Sequence, residues 1–376
     1  MTLRAFATGA TGFIGRRLVW SLLDAGWHVR ALVPPGESAS LPSEVEVVRG
    51  DVTDPKSLRG SMENVDATFH LAALVESWIR DRRDFVRVNV EGTDHVMDEA
   101  LRAGVWRFVF TSSLSGIGVR PGVILREDSP PGKVFGPYEE SKAVAEQHVA
   151  AAVAERGLPA VTLIPGIVIG PGDVRNTGKM LLSFVRGEFP GTFAEDSYLP
   201  VVGVDDVARA HLLAYEHGRV GERYIICSEN VPWGDLMRAA SEFSGTPMPS
   251  RHIGGRALWL ASRTGELMAR VTRAQPRLPS WLADFMLTGA KMDNAKSVRE
   301  LRMTYRPVAD SIREAVEWFA AEGLLKPAAA PPAHHVVRMP VENPRTRPED
   351  VFAERALDEP PAKRPPAGRP KPPEKA

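Results

Sequence analysis

The sequence predicts an α/β protein: a doubly wound parallel sheet, a smaller and mostly helical C-terminal lobe, and a disordered tail. Three observations predict it. Short apolar runs alternate with helix-period segments as far as residue 170. The glycine turn TGATGFIG, residues 8–15, ends the first run and opens the first helix. Thirteen of the 32 prolines crowd into residues 327–376.

Taken in order, LRAFAT (3–8) is the first strand and FIGRRLVWSLLDAG (13–26) the first helix. WHVRALV (27–33) is the second strand, stopped by Pro34, Pro35 and Gly36, which break the ladder. VEVVRGD (45–51), VDATFHLAA (65–73) and RFVFTSS (107–113) follow as strands. AVTLIPGIVIG (160–170) reads as the sixth. DFVRVNVEGTDHVMDEALRAG (84–104) and YEESKAVAEQHVAAAVAERG (138–157) are the helices between them. Strands that are apolar throughout belong to a parallel sheet covered on both faces, with right-handed crossovers. Beyond Gly170 helices dominate, at 205–218, 233–245, 254–274 and 310–323, with ERYIICS (222–228) a short strand. The expected division is a nucleotide-binding core over 1–170, rejoined by about 200–227, and a mainly substrate-binding lobe over 171–326. Residues 327–376 hold one aromatic, Phe352, among prolines and mixed charges. That is too little apolar surface to offset chain entropy, so a Pro-rich disordered tail is expected there, and it offers a site for a partner.

Composition narrows the function. Forty-seven basic and 47 acidic residues leave no net charge, which argues against nucleic acid as a partner. The single cysteine, Cys227, permits no intrachain disulfide and no Cys-rich metal site, in keeping with a reduced cytoplasm. No apolar stretch approaches the roughly 18–20 residues of a membrane span, and MTLRAFATGATGF does not read as a signal peptide. His70, His95, His148 and His211 have no metal-ligand spacing, so no metal is expected.

The glycine turn suits a dinucleotide. Gly9 permits the tight turn, Gly12 lets backbone approach a pyrophosphate, and Gly15 lets helix and strand pack closely. Thr11, Phe13 and Ile14 complete the turn at a helix N-terminus, whose unpaired N–H groups attract phosphate. The place of the usual ribose-reading carboxylate, at the end of the second strand, holds Val33; Glu37 comes later. Arg16, Arg17 and Arg30 are nearby cations, which favours NADP over NAD. Asp51, followed by Val52, ends the third strand, where it can accept from an adenine amino group or act as a turn residue.

Tyr138 and Lys142, spaced i,i+4 behind Pro137, share one face at the start of a helix. A nearby ammonium, together with a cationic nicotinamide ring, is expected to pull the phenol down from its ordinary pKa of about 10 toward neutrality. Ser113 closes the strand ending FTSS, at the carboxyl edge where a parallel sheet meets its ligand.

TGATGFIG, GDVTD, HLAA, VNVEGT, FTSS, YxxxK and VDDV occur in that order, and together they resemble the extended short-chain dehydrogenase/reductase family over about residues 1–325. The chain looks most like its dihydroflavonol reductase and 3β-hydroxysteroid dehydrogenase-like branch. The resemblance implies a Rossmann-type fold and a catalytic set of Ser113, Tyr138 and Lys142, with Lys142 also on the nicotinamide ribose. It implies that Leu71, Ala72, Ala73, Pro165 and Val168 line the cofactor, that Asn89 matches the family's helix asparagine, and that Trp78 lies in a loop bordering the substrate. Two departures matter. Pro34 stands where that branch often has Arg, and Ile164-Pro165-Gly166-Ile167 lacks the Asn-containing segment common in nucleotide-sugar epimerases.

The expected activity is NAD(P)-dependent reduction of a carbonyl, or oxidation of a secondary alcohol, on a small and apolar molecule. An NAD-retaining sugar epimerase or dehydratase is the alternative, and a non-catalytic cofactor-binding interaction protein a third reading. Leu258, Leu260, Ala261, Leu267, Met268 and Val271 fall near one helical face, with Trp281, Leu282, Phe285, Met286 and Leu287 following. That face suits packing of the lobe onto the sheet, an apolar substrate pocket or a peripheral membrane contact. Asp205 and Asp206 read as a helix N-cap. A homodimer is left open.

Overall fold

The protein is described by a computed structural model covering residues 2–76, 79, 81–272, 276 and 278–325. In chain order its strands are β1 (Arg4–Thr8), β2 (His28–Val33), β3 (Glu46–Arg49), β4 (Ala67–His70), β5 (Arg107–Thr111), β6 (Ile124–Leu125), β7 (Ala160–Pro165), β8 (Ile167–Ile169), β9 (Tyr198–Gly203), β10 (Arg223–Ile226), β11 (Glu229–Pro232) and β12 (Lys291–Met292). Seven of them form one sheet in the order β10-β7-β5-β4-β1-β2-β3. Every neighbouring pair is parallel. The strand order reverses beside β1, so β1 and β4 part at their carboxyl ends and leave a crevice there.

Alternation along the strands explains why both faces are covered. Ala5, Ala7, Phe69 and Val109 pack with Leu18, Val19 and Leu22 of helix Phe13–Asp24 and with Val207, Ala208 and Ala214 of helix Val204–His217. The intervening Phe6, Phe108 and Phe110 pack on the other face, with Val96, Met97 and Ala100 of helix Gly92–Ala103 and Ala145 and Val149 of helix Pro137–Arg156. Side chains of a strand alternate in direction, so a run apolar at every position is satisfied only by two layers of helix.

The run 160–170 is two strands, not one. β7 ends at Pro165, and β8 turns away to pair with β9 in a three-stranded sheet, β11-β9-β8. Gly166 makes the turn possible because a Cβ there would lie 2.5 Å from the Pro200 carbonyl oxygen. A second core gathers Ile169, Leu199 and Val201 with helices Asn176–Val185, Trp233–Ser244, Ser280–Thr288 and Val308–Ala321, through Leu181, Trp233, Met286 and Phe319. The residues expected to form a disordered tail lie outside the described part of the chain.

Two expectations are corrected. Gly203, not Asp205 or Asp206, occupies the N-cap of helix Val204–His217. The aspartates sit in its first turn, where Asp205 pairs with Arg17 at 3.5 Å and buried Asp206 with Arg209 at 2.7 Å. On helix Gly255–Thr272, Leu258 is buried but Leu260, Ala261, Leu267 and Met268 face solvent. That face does not pack the lobe onto the sheet. The side chain of Val271 is outside the described part.

Candidate active site at the carboxyl edge of the sheet

The glycine turn sits at the end of β1, against β4. Gly9 has φ +69°, and a Cβ there would meet the Ala72 amide nitrogen at 2.7 Å. At Gly15 a Cβ would overlap the Gly9 carbonyl oxygen. Gly12 differs: its Cβ would meet only the Gly9 carbonyl oxygen, at 3.1 Å, so that side of the turn is open. Gly12 is also the N-cap of helix Phe13–Asp24, with no side chain capping it and no acidic residue in the first turn. The first amides, at Phe13, Ile14 and Gly15, therefore point outward with the positive end of the helix dipole. An open backbone cradle of this kind fits a pyrophosphate. Phe13 lies within reach of Gly172, where a Cβ would sit 3.8 Å from its ring.

Around this cradle the expected cofactor residues divide. Leu71, Ala72 and Ala73 follow β4 and are half-buried beside Gly9. Pro165, buried, ends β7, and half-buried Val168 lies in β8 paired with Val202. Asp51 commits its Oδ1 to the Thr53 amide and hydroxyl, both at 2.8 Å, so it is first a turn residue. Val52 is buried against Gly92. Arg16 is exposed, and its Nε donates to the Thr11 carbonyl at 2.9 Å. Arg30 is a correction. Its guanidinium donates to the carbonyls of Ser61 and Glu63 at 2.9 and 3.1 Å and pairs with Glu46 at 2.9 Å. These contacts already occupy two of its three guanidinium nitrogens. Glu37, passed over as too late in the chain, comes back to the turn: Thr11 Oγ1 donates to its carboxylate at 2.7 Å. Arg49 braces that loop by donating to the carbonyls of Pro34 and Glu37 at 3.2 and 2.6 Å.

Ser113 and Tyr138 come together. Pro137 occupies the first turn of its helix behind the N-cap Gly136, which puts Tyr138 opposite the end of β5. The Ser113 hydroxyl lies near enough to the phenol to act on its ionisation. Burial first, then the adjacent Glu139 carboxylate, holds the phenol above its ordinary pKa, while Ser113 draws it back. Lys142, one turn on, is buried; its Nζ donates to the Thr111 carbonyl at 2.7 Å and lies 4.3 Å over the Phe110 ring. Burial lowers the ammonium to about 8, opposed by Glu146. The ammonium is turned to the Thr111 carbonyl, and burial is the largest influence on the phenol.

Buried polar groups tie cradle and helix together. The Ala72 amide donates to Thr8 Oγ1 at 3.1 Å, and Thr8 Oγ1 lies 2.7 Å from His70 Nδ1. His70 Nε2 lies 2.9 Å from Thr93 Oγ1, which donates to the Asn89 carbonyl at 2.7 Å. With Thr93 already donating, His70 must donate through Nε2 and accept at Nδ1. It is a neutral link, pushed down to about 3 by burial and by Lys142. Asn89, in a π-helical turn over Val86–Glu91, donates to Ser141 Oγ at 2.8 Å and grips Leu74 through both backbone groups at 2.7 and 3.1 Å. Ser141 Oγ donates to the Tyr138 carbonyl at 2.6 Å. On the opposite side, Glu146 accepts from Ser112 and pairs with Arg223 at 2.7 Å, which anchors the segment carrying Ser113.

The walls near Tyr138 are aromatic. Phe85 lies 6.5 Å from its ring. Phe135 meets Phe285 edge-on at 5.9 Å, and a Cβ at Gly136 would touch Trp281 at 3.1 Å. Glu139 Oε2 is buried among these groups without a hydrogen-bond partner, and burial raises the carboxyl to about 7. Trp78 lies outside the described residues. Sequence reasoning set Glu37 aside and missed Glu139 and Glu146. Only Glu146 carried a signal, lying four residues after Lys142 on the same helical face.

Comparison with known proteins gives the family. The NAD dependent epimerase/dehydratase family model matches residues 5–227. A protein of Synechocystis sp. provisionally named dihydroflavonol 4-reductase is 35% identical over 338 residues, covering 85% of this chain and 96% of that protein. Sterol demethylase protein B of Methylococcus capsulatus is 33% identical, covering 86% and 100%. Among solved structures, gox2253 is 34% identical with a TM-score of 0.76, covering 86% of this chain and 99% of that one.

Proposed function

Because the chain belongs to the NAD-dependent epimerase/dehydratase family, we propose that it is a dinucleotide-dependent reductase of a ketone carried on an apolar molecule. The observation that carries this reading is that the fold brings Ser113, after β5, to Tyr138 at the carboxyl edge of the sheet, one helical turn from buried Lys142. A bound nicotinamide supplies the hydride. Gly9, Gly12 and the amides of Phe13 and Ile14 hold its pyrophosphate, with Leu71, Ala72, Pro165 and Val168 lining the approach. Two adjacent hydroxyls hold one substrate oxygen from two sides. A phenol held above its ordinary pKa is protonated near neutrality, the state in which it can donate to a ketone oxygen. Lys142, with a pKa of about 8, supplies positive charge behind the phenol as it becomes a phenolate. The aromatic walls from Phe85, Phe135, Trp281 and Phe285 favour an apolar skeleton. Relatives named for sterol and steroid chemistry support the same class.

The sequence favoured NADP. With Arg30 engaged elsewhere and the Glu37 carboxylate beside Thr11, NAD is the better fit, since a carboxylate there accepts from a ribose hydroxyl and repels a 2′-phosphate. Titration of the purified protein should show NADH binding at least about tenfold tighter than NADPH, a difference of about 1.4 kcal/mol. In the same assay Tyr138→Phe should lower ketone reduction by about 10²–10⁴-fold and leave dinucleotide affinity within a small factor. Full activity in that variant would refute the reading. Tightly co-purified NAD with no need for added cofactor would instead identify an epimerase.

A further inference from the structure

We propose that helix Gly255–Thr272 docks the enzyme on an anionic phospholipid surface. Its burial pattern is inverted. A helix packed on a globular body turns its large apolar residues inward. This one buries Leu258, Ser262 and Ala269 and leaves Trp259, Leu260, Leu267 and Met268 exposed at 47%, 58%, 62% and 60%. Leu287 of helix Ser280–Thr288 joins them, and with Gly255, Arg256, Trp259 and Leu260 it lines an open apolar pocket of about 510 Å³. An exposed patch of this kind marks an interaction surface rather than a scattered apolar residue.

Charge selects the occupant. Residues 251–277 carry six arginines and one acidic residue, Glu266, although the whole chain is neutral. Arg251 and Arg256 are exposed and make no ion pair among the described residues. Arg263 pairs with Asp284 at 3.0 Å and lies 4.1 Å over the Trp259 ring, which fixes the indole on the exposed side. Tryptophan and leucine flanked by arginine suit the boundary between headgroups and acyl chains. A second copy is a poorer occupant, because a two-fold contact would bring the same arginines face to face.

The surface also lies next to the site. Helix Ser280–Thr288 presents Leu287 to the pocket, while its Phe285 and Trp281 meet Phe135 and Gly136, directly before Tyr138. The same helix therefore touches both the exposed patch and the segment leading into Tyr138.

The test is sedimentation of the full chain with extruded vesicles of phosphatidylcholine, alone or mixed with phosphatidylglycerol. Binding should rise by about tenfold or more with the anionic lipid and fall in high salt. Leu260→Glu with Leu267→Glu should abolish it, while circular dichroism and dinucleotide binding stay unchanged, because both positions are exposed. Trp259→Phe should remove the lipid-induced fluorescence shift. Absence of vesicle binding by the parent chain, or its persistence in the double variant, would overturn the proposal. So would a parent dimer that the double variant splits, which would assign the face to a second copy. None of these readouts requires turnover, so the outcome is separable from that of the reductase reading.

Discussion

Glu139 shows how a single residue records its surroundings. Its Oε2 is buried without a partner, and the carboxyl is raised to about 7. The folded chain therefore holds this proton more tightly than the unfolded chain does. The resulting stability is complete below about pH 4.5 and is lost as pH rises through 7, above which the fold contains an unpaired buried charge. Glu139→Gln removes that charge. The variant should melt about 2–4 °C above the parent at pH 8 and level with it at pH 4, by calorimetry. An equal shift at both pH values would mean that the carboxylate is solvated. At this scale the candidates Ser113, Tyr138 and Lys142 were legible, because ordered motifs named them. Glu37 was not: a loop brings it back to Thr11, and no spacing rule describes that return.

At the scale of the element, the first turn separates two uses of glycine. A methyl at Gly15 would overlap the Gly9 carbonyl oxygen, whereas one at Gly12 meets a single atom at 3.1 Å. Gly15→Ala should therefore lower the melting temperature by several degrees and reduce dinucleotide binding with it. Gly12→Ala should leave the melting temperature nearly unchanged and still weaken dinucleotide binding by about tenfold or more, since the methyl fills the side left open to phosphate. Paired titration and melting curves check both; equal loss of stability in the two variants would contradict the assignment. Element types were readable because period-two and helical patterns are local. The split of 160–170 was not, because it is decided by the approach of β9 at Pro200, far along the chain.

For the molecule as a whole, every buried core of the described chain is built from residues before Lys326. A chain ending at Lys326 should keep its melting temperature within about 2 °C and its dinucleotide affinity. A larger fall would show that residues 327–376 belong to the fold. By itself the sequence determined the doubly wound class and the glycine turn, since both are written in local periodicity or in residues a few positions apart. Only the tertiary structure decided that Arg30 is engaged by Ser61, Glu63 and Glu46, that the Lys142 ammonium turns to the Thr111 carbonyl, and that helix Gly255–Thr272 turns its large apolar residues outward. Those outcomes depend on what lies opposite each side chain, and periodicity specifies a face without specifying what that face meets.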